Sequence, residues 1–211
     1  MPERFFITGT DTGVGKTVAS ATLCAALNAV YWKPIQTGTR EGSDRATVMR
    51  IAGIPRNRTS PEVYRFSPPV SPHLAARRAG VWIEPRKIHV PKLAATENLI
   101  AEGAGGAFVP LNENDLTTAL MAHLRLPVLL VARTTLGTIN HTLLSIAALR
   151  AARLDFRGVI MVGKANDENR KAIEHYGRVQ VIGRLPVLPR LNRAALLKAF
   201  RSYFDRRFFS L

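Results

Sequence analysis

Residues 4–17 read Arg4-Phe5-Phe6-Ile7-Thr8-Gly9-Thr10-Asp11-Thr12-Gly13-Val14-Gly15-Lys16-Thr17. Arg4 to Thr8 is a short apolar run of strand character, and an apolar helix pattern opens near Thr17. The glycine-rich segment therefore joins a strand to a helix. Such a loop turns successive backbone N–H groups toward one point, with the positive end of the helix dipole behind it. It is a cradle for nucleotide phosphates: Lys16 reaches the terminal phosphates, and the Thr17 hydroxyl is placed to hold Mg²⁺. The spacing is a variant of GxxxxGK[ST], because Thr10 stands six before Lys16 and the glycine sits at Gly9. The glycines alone would make only a tight turn; the strand before and the helix after supply the required context.

Outward from this loop, apolar strands alternate with helices. Strand candidates are Arg4 to Thr8, Ala29 to Lys33, Leu99 to Glu102, Val128 to Ala132, Gly158 to Val162 and Val179 to Gly183. Helix candidates are Thr17 to Asn28, Asp44 to Ile51, Leu116 to Leu124, Ile139 to Ala152, Glu168 to His175 and Arg193 to Phe204. The strand runs are unalternated in Val, Ile and Leu, as in parallel strands covered on both faces. The expected fold is α/β: a doubly wound, mostly parallel sheet flanked by helices, of the P-loop NTPase type. Pro55 to Pro91 reads as a long excursion with a short helix near His73 to Arg78.

At 211 residues and 46% hydrophobic content the chain suits one domain with a sizeable core, spanning 1–211. The longest apolar run, Leu126 to Ala132, falls far short of the ~20 residues needed to cross a bilayer. Glu3 and Arg4 precede only a three-residue apolar stretch, which does not read as a secretory signal, so a cytoplasmic location is expected. Cys24, the one cysteine, falls in the apolar helix and reads as a small buried hydrophobe, which excludes disulfides and cysteine metal sites. The formal charge of +15 is spread over scattered arginines with no basic block. It reads as a solvated surface that attracts anionic nucleotide, without a specific nucleic-acid partner.

In doubly wound sheets ligands sit beyond the C-terminal strand ends. Three polar sets follow strands: Lys33-Pro34-Ile35-Gln36-Thr37-Gly38 with Gly42-Ser43-Asp44; Glu102-Gly103-Ala104-Gly105-Gly106; and Leu136-Gly137-Thr138-Ile139-Asn140-His141 at a helix start. A lysine opposite a phosphate loop neutralises charge on a transferring phosphoryl group. Asp44 and Glu102 can meet at the Mg²⁺ held by Thr17, since hard oxygen ligands suit that ion. Each alone has another reading: a surface lysine, a helix cap, a loop carboxylate. Their joint placement beside one phosphate loop favours a site.

GTDTGVGKT (9–17), KPIQTG (33–38), GSD (42–44), EGAGG (102–106) with Pro110-Leu111, and LGTINHTLL (136–144) occur here in this order. In that combination the chain resembles dethiobiotin synthetase, over Phe6 to about Gly163. The resemblance implies an ATP- and Mg²⁺-dependent ligase of biotin synthesis. Its substrate would be 7,8-diaminopelargonic acid, whose vicinal amines and CO₂ give dethiobiotin, ADP and phosphate. One amine forms a carbamate, the carbamate oxygen attacks the γ-phosphate, and the second amine closes the ring. By the same resemblance, Thr12, Gly13, Val14, Gly15, Lys16, Thr17, Val18 and Glu102 bind nucleotide, and Lys33 and Lys16 are catalytic. Thr12, Lys33 and Thr37 place the diamine or its carbamate, and Thr17, Asp44 and Glu102 bind metal. The family is a homodimer in which Gly137, Thr138, Ile139 and Asn140 meet the substrate carboxylate across the interface, and the N–H groups of a helix start suit that role. His141 reads mainly as core polarity.

The sequence departs from the family pattern near the base. Many members end a GVVxN-like strand with an adenine-reading asparagine, whereas here Val162 holds that place and Asn166 lies four residues on. The base is then read either by Asn166 or by backbone near Arg184-Leu185-Pro186-Val187, and relaxed base selectivity is expected. Three competing readings remain. A partitioning-type ATPase would bind nucleic acid, but it carries a lysine where this loop has Asp11. A cobyrinate-type amidase would need a glutaminase domain with a cysteine nucleophile. A nucleotide-binding regulator would keep only the cradle.

Overall fold

The structure, a computed structural model, describes residues 2–209. Strands β1 (Arg4–Gly9), β2 (Val30–Trp32), β4 (Thr59–Ser60), β6 (Leu99–Gly106), β7 (Val128–Arg133), β8 (Phe156–Val162) and β9 (Val181–Leu185) form one sheet in the order β4-β2-β6-β1-β7-β8-β9. Every pairing in it is parallel. A second small sheet pairs β3 (Ile35–Gln36) with β5 (Tyr64–Arg65). Strand alternation sends side chains to two separate cores. Phe5, Ile7, Ile100, Leu129 and Val131 meet α1 (Lys16–Leu27), α2 (Asp44–Ala52) and α7 (Arg193–Tyr203) on one face. Phe6, Ala101, Val128 and Leu130 meet α4 (Thr117–Leu124), α5 (Thr138–Ala151) and α6 (Asp167–Gly177) on the other. The expected doubly wound, parallel α/β fold is observed, and β6 and β7 leave β1 on opposite sides, which opens the crevice beyond its C-terminal end.

Helix α1 carries no charged residue after Lys16, and it packs against α2 and α7 as well as the sheet. Ala19, Ala21, Leu23, Cys24, Ala25 and Leu27 are buried as a result. Burial pushes the Cys24 thiol far above its ordinary pKa, in keeping with a packing role. The excursion after β4 holds α3 (Pro72–Arg78), close to the expected His73 to Arg78 helix, and short 3₁₀ turns. Two-residue strands such as β3, β4 and β5 show no periodicity, which is why the sequence did not mark them. Two boundaries differ from expectation. Strand β6 runs on through the glycines to Gly106, so Glu102, expected as the last residue of the strand, lies inside it. Strand β9 begins at Val181 and includes Leu185, because Val179 is held by a turn bond from its N–H to the Glu174 carbonyl at the end of α6.

Candidate active site

The cradle is built where β1 ends against both neighbours: Gly9 pairs with Gly106 of β6 and with Val131 of β7. Gly15 caps α1 in the left-handed region at φ 98°, and a Cβ there would lie 2.8 Å from a methyl of Val162 at the end of β8. No side chain larger than hydrogen fits between loop and strand. The Val14 side chain turns into the core, which leaves its backbone to face the loop. The Lys16 ammonium folds back and donates to the Asp11 carbonyl at 2.8 Å. Burial lowers its pKa to about 8 against the opposing pull of Glu102. Asp11 itself accepts from the Thr12 N–H at 2.6 Å and from Arg133 at 2.8 Å, which ties the loop to β7.

Behind the cradle, β2 and β6 lie side by side, and their alternation puts Tyr31 and Lys33 on the same face as Ile100 and Glu102. That face is the one α1 covers, so Thr17 on the first turn of α1 joins them. The Thr17 hydroxyl lies 2.9 Å from Asp44 Oδ1 and 3.0 Å from Glu102 Oε1. The Lys33 ammonium donates to Asp44 Oδ2 at 2.5 Å and to Glu102 Oε1 at 3.1 Å. Lys33 is 6% exposed and Glu102 is fully buried, so neither is a surface group. Ser43, and not Asp44, caps α2 by accepting from the Ala46 N–H, which leaves the Asp44 carboxylate free to face the site. Burial alone would lower the Lys33 pKa, but the charges of Glu102 and Asp44 and their hydrogen bonds hold it above its ordinary value. Burial likewise works against the Asp44 carboxylate, and the Lys33 charge together with the hydrogen bonds from Lys33, Thr17 and Gln36 holds its pKa low. The group is a buried ion-paired cluster in which every charge has a partner.

Thr12, Gly13, Gly15, Lys16, Thr17, Val18, Lys33, Thr37, Asp44 and Glu102 line one cavity of about 680 Å³. The cradle residues other than Val14, the metal set, and Thr12, Lys33 and Thr37 of the substrate set are thereby brought together. The hydroxyl of Thr17 and the carboxylates of Asp44 and Glu102 are hard oxygen donors on a shared side of the cavity, a set that fits Mg²⁺. Gly137 to Asn140 do not line this cavity. They begin α5, where Thr138 donates to the Arg133 carbonyl at 2.6 Å beside a separate pocket of about 100 Å³ formed with Thr10, Asp11 and Arg133.

The base-reading candidates are not brought to the cavity either. Asn166 caps α6, its side-chain oxygen accepting from the Asn169 N–H at 2.9 Å, and it is exposed. Leu185 is buried in β9 with its carbonyl taken by the Gly163 N–H, and Pro186 follows it half-buried. With Val162 packed on Gly15, an apolar side chain and not an amide holds that place at the end of β8. Turnover with CTP and GTP is therefore expected within about tenfold of that with ATP, the discrimination of roughly one hydrogen bond. Initial rates with the three nucleotides check this; a preference for ATP of a hundredfold or more that survives Asn166→Ala overturns it.

Two contributors went unassigned in the sequence. Gln36 orients the start of α2, its side-chain oxygen accepting from the Asp44 N–H at 3.1 Å. Tyr31, fully buried, donates its phenol proton to Glu102 Oε2 at 3.1 Å, and burial followed by the Glu102 charge raises its pKa well above the ordinary tyrosine range. Gln36 lies inside the quoted KPIQTG motif, a signal that could have marked it. Tyr31 lies in an apolar run that reads as core.

The fold is shared with solved structures of low sequence similarity. A ParA family ATPase from Chlorobium tepidum TLS superposes with a TM-score of 0.52 at 11% identity over 95% of this chain and 93% of that one. The MinD cell division protein of Aquifex aeolicus does so with a TM-score of 0.51 at 14% identity over 99% and 97%. A family model described as an AAA domain matches residues 3–195. Proteins named ATP-dependent dethiobiotin synthetase BioD from Brucella melitensis biotype 2 and Brucella ovis are each 48% identical over 204 residues, covering 97% of this chain and 95% of theirs. Identity of that extent over nearly the whole of both chains sets aside the partitioning ATPase, which shares only the fold. The chain belongs to the ATP-dependent dethiobiotin synthetases, the ligases of biotin biosynthesis that its motifs resemble.

Proposed function

We propose that this chain, as a single domain, closes the cyclic urea of dethiobiotin on 7,8-diaminopelargonic acid, consuming CO₂ and ATP in the cytoplasm. The observation that carries the reading is the Lys33 ammonium, buried on the wall of the cavity that the phosphate cradle also lines. A carbamate is a weak, unstable nucleophile, so it has to be held against the γ-phosphate while the repulsion between two anions is screened. Lys33 and Lys16 both line the cavity and supply cations to it, and neither has to act as a base. Thr12 and Thr37 on the cavity wall place the diamine or its carbamate. Thr17, Asp44 and Glu102 would hold Mg²⁺, which supplies charge that offsets the phosphate oxygens.

The distal carboxylate of the substrate is assigned to Gly137, Thr138, Ile139 and Asn140 of a second copy of the chain. Support comes from the first-turn N–H groups of α5 after Thr138, whose own N–H donates to the Thr135 carbonyl, since such groups suit an anion. Exposed Leu136 and Leu144 flank that start, apolar groups that a homodimer would cover. Incubation of the purified protein with the diamine, bicarbonate, Mg²⁺ and ATP is expected to yield dethiobiotin by mass, with one ADP per product. ATP binding without product would overturn the assignment.

A further inference from the structure

The two oxygens of Glu102 have separate partners. Oε1 accepts from Thr17 and Lys33 and faces the cavity, whereas Oε2 accepts only from the Tyr31 phenol, one pleat below Lys33 and inside the core. Tyr31 is fully buried among Ile7, Ile100 and the residues of α1 and α2, where its ring is fixed by packing. A phenol held there draws one oxygen of Glu102 away from the cavity and leaves the other to serve it.

That division matters because the two common divalent cations differ in how they use a carboxylate. Mg²⁺ demands near-ideal octahedral geometry at short range, which the narrow bite of a two-oxygen carboxylate violates. Ca²⁺ takes more ligands in a looser shell and accepts both oxygens readily. We infer that Tyr31 is a positioning residue that confines Glu102 to one-oxygen ligation and so biases the site toward Mg²⁺ over Ca²⁺. The inference rests on the proposed metal role of Thr17, Asp44 and Glu102. It adds a residue outside the cavity lining, acting through a ligand that it never lets turn.

The test is Tyr31→Phe, which keeps the ring and removes the one oxygen. Mg²⁺ and Ca²⁺ are titrated calorimetrically against wild type and variant, each saturated with β,γ-imido-ATP. The variant is expected to lose about tenfold in its preference for Mg²⁺ over Ca²⁺, the equivalent of one hydrogen bond to a charged group. A merely structural tyrosine would weaken both ions alike, so an unchanged ratio overturns the inference. A second measurement needs no variant. In infrared difference spectra of the wild-type complex with glutamate labelled in its carboxylate, the separation of the two carboxylate stretches distinguishes one-oxygen from two-oxygen ligation. One-oxygen ligation with Mg²⁺ is expected, and two-oxygen ligation overturns the inference. If neither ion is bound by the wild-type complex although the analogue binds in EDTA, the metal reading itself falls, and the inference with it.

Discussion

Lys33→Ala is expected to lower turnover by about a thousandfold or more, the scale seen when a fixed cation or oxyanion donor is removed from a transferring group. Lys33 sits one residue beyond β2, with its ammonium within 3.1 Å of both site carboxylates and almost no access to water. Lys16 lines the same cavity, but its ammonium is engaged with the Asp11 carbonyl and does not replace Lys33 at the two carboxylates. Because the cradle itself is untouched, a fluorescent ATP analogue should still bind the variant within about tenfold of wild type, with the missing contact confined to the γ-phosphate. Removing Lys33 also strands the buried carboxylate of Glu102, a change that costs about 3–5 kcal/mol in comparable pairs, and Mg²⁺ should recover part of that loss by taking the vacated charge. Lys33→Arg should not restore turnover. A planar guanidinium cannot place one compact charge against two carboxylates and a substrate oxygen at once. Rates, analogue titration and thermal midpoints with and without Mg²⁺ read out each part. Retention of normal turnover by Lys33→Ala would remove Lys33 from the catalytic machinery.

The second large effect lies at the far end of the chain. Phe209→Ala should destabilise the fold by about 3 kcal/mol or more, as for a fully enclosed aromatic truncated in a core. Phe209 is 0% exposed, with ring centroids of Phe208, Phe200 and Phe5 at 4.9, 5.4 and 6.0 Å. The cluster joins the end of the chain to β1 and α7 directly beneath α1. Urea unfolding followed by circular dichroism measures the cost. A loss below about 1 kcal/mol would mean that the site collapses around the smaller side chain and that the C-terminal segment adds little. The tail thus packs on its own chain, a question that the sequence left open between the chain and a dimer partner.

The loop, the alternation of elements and the four charged groups of the site were all legible, and for one reason. Each is announced by a local rule: glycines and a Lys-Thr pair between a strand and a helix, unalternated apolar runs, polar residues at strand ends. What the sequence hid depends on pairing across the sheet. Tyr31 reads as one more core residue in Val30-Tyr31-Trp32, and only the register of β2 against β6 carries its hydroxyl to Glu102. The strand was read as ending at Glu102 because Gly103, Gly105 and Gly106 resemble a break. In the sheet they let β6 lie tightly against β1, where a Cβ on Gly106 would come within 3.1 Å of the Gly9 carbonyl. The small β3–β5 sheet and Phe209 were invisible for the complementary reason, since neither carries a periodic pattern of its own.

The charge-free helix α1 has a consequence for where conformational entropy is spent. Wedged between the sheet, α2 and α7, it cannot tilt or fray without exposing Leu23 and Leu27, so the cradle at its head is already ordered before any nucleotide arrives. Little of the free energy of phosphate binding is then consumed in arranging the loop. Gly38 and Gly42, at the two ends of the 3₁₀ turn between β3 and α2, line the same cavity. Affinity for the phosphates is set by a part of the molecule that packing has already fixed.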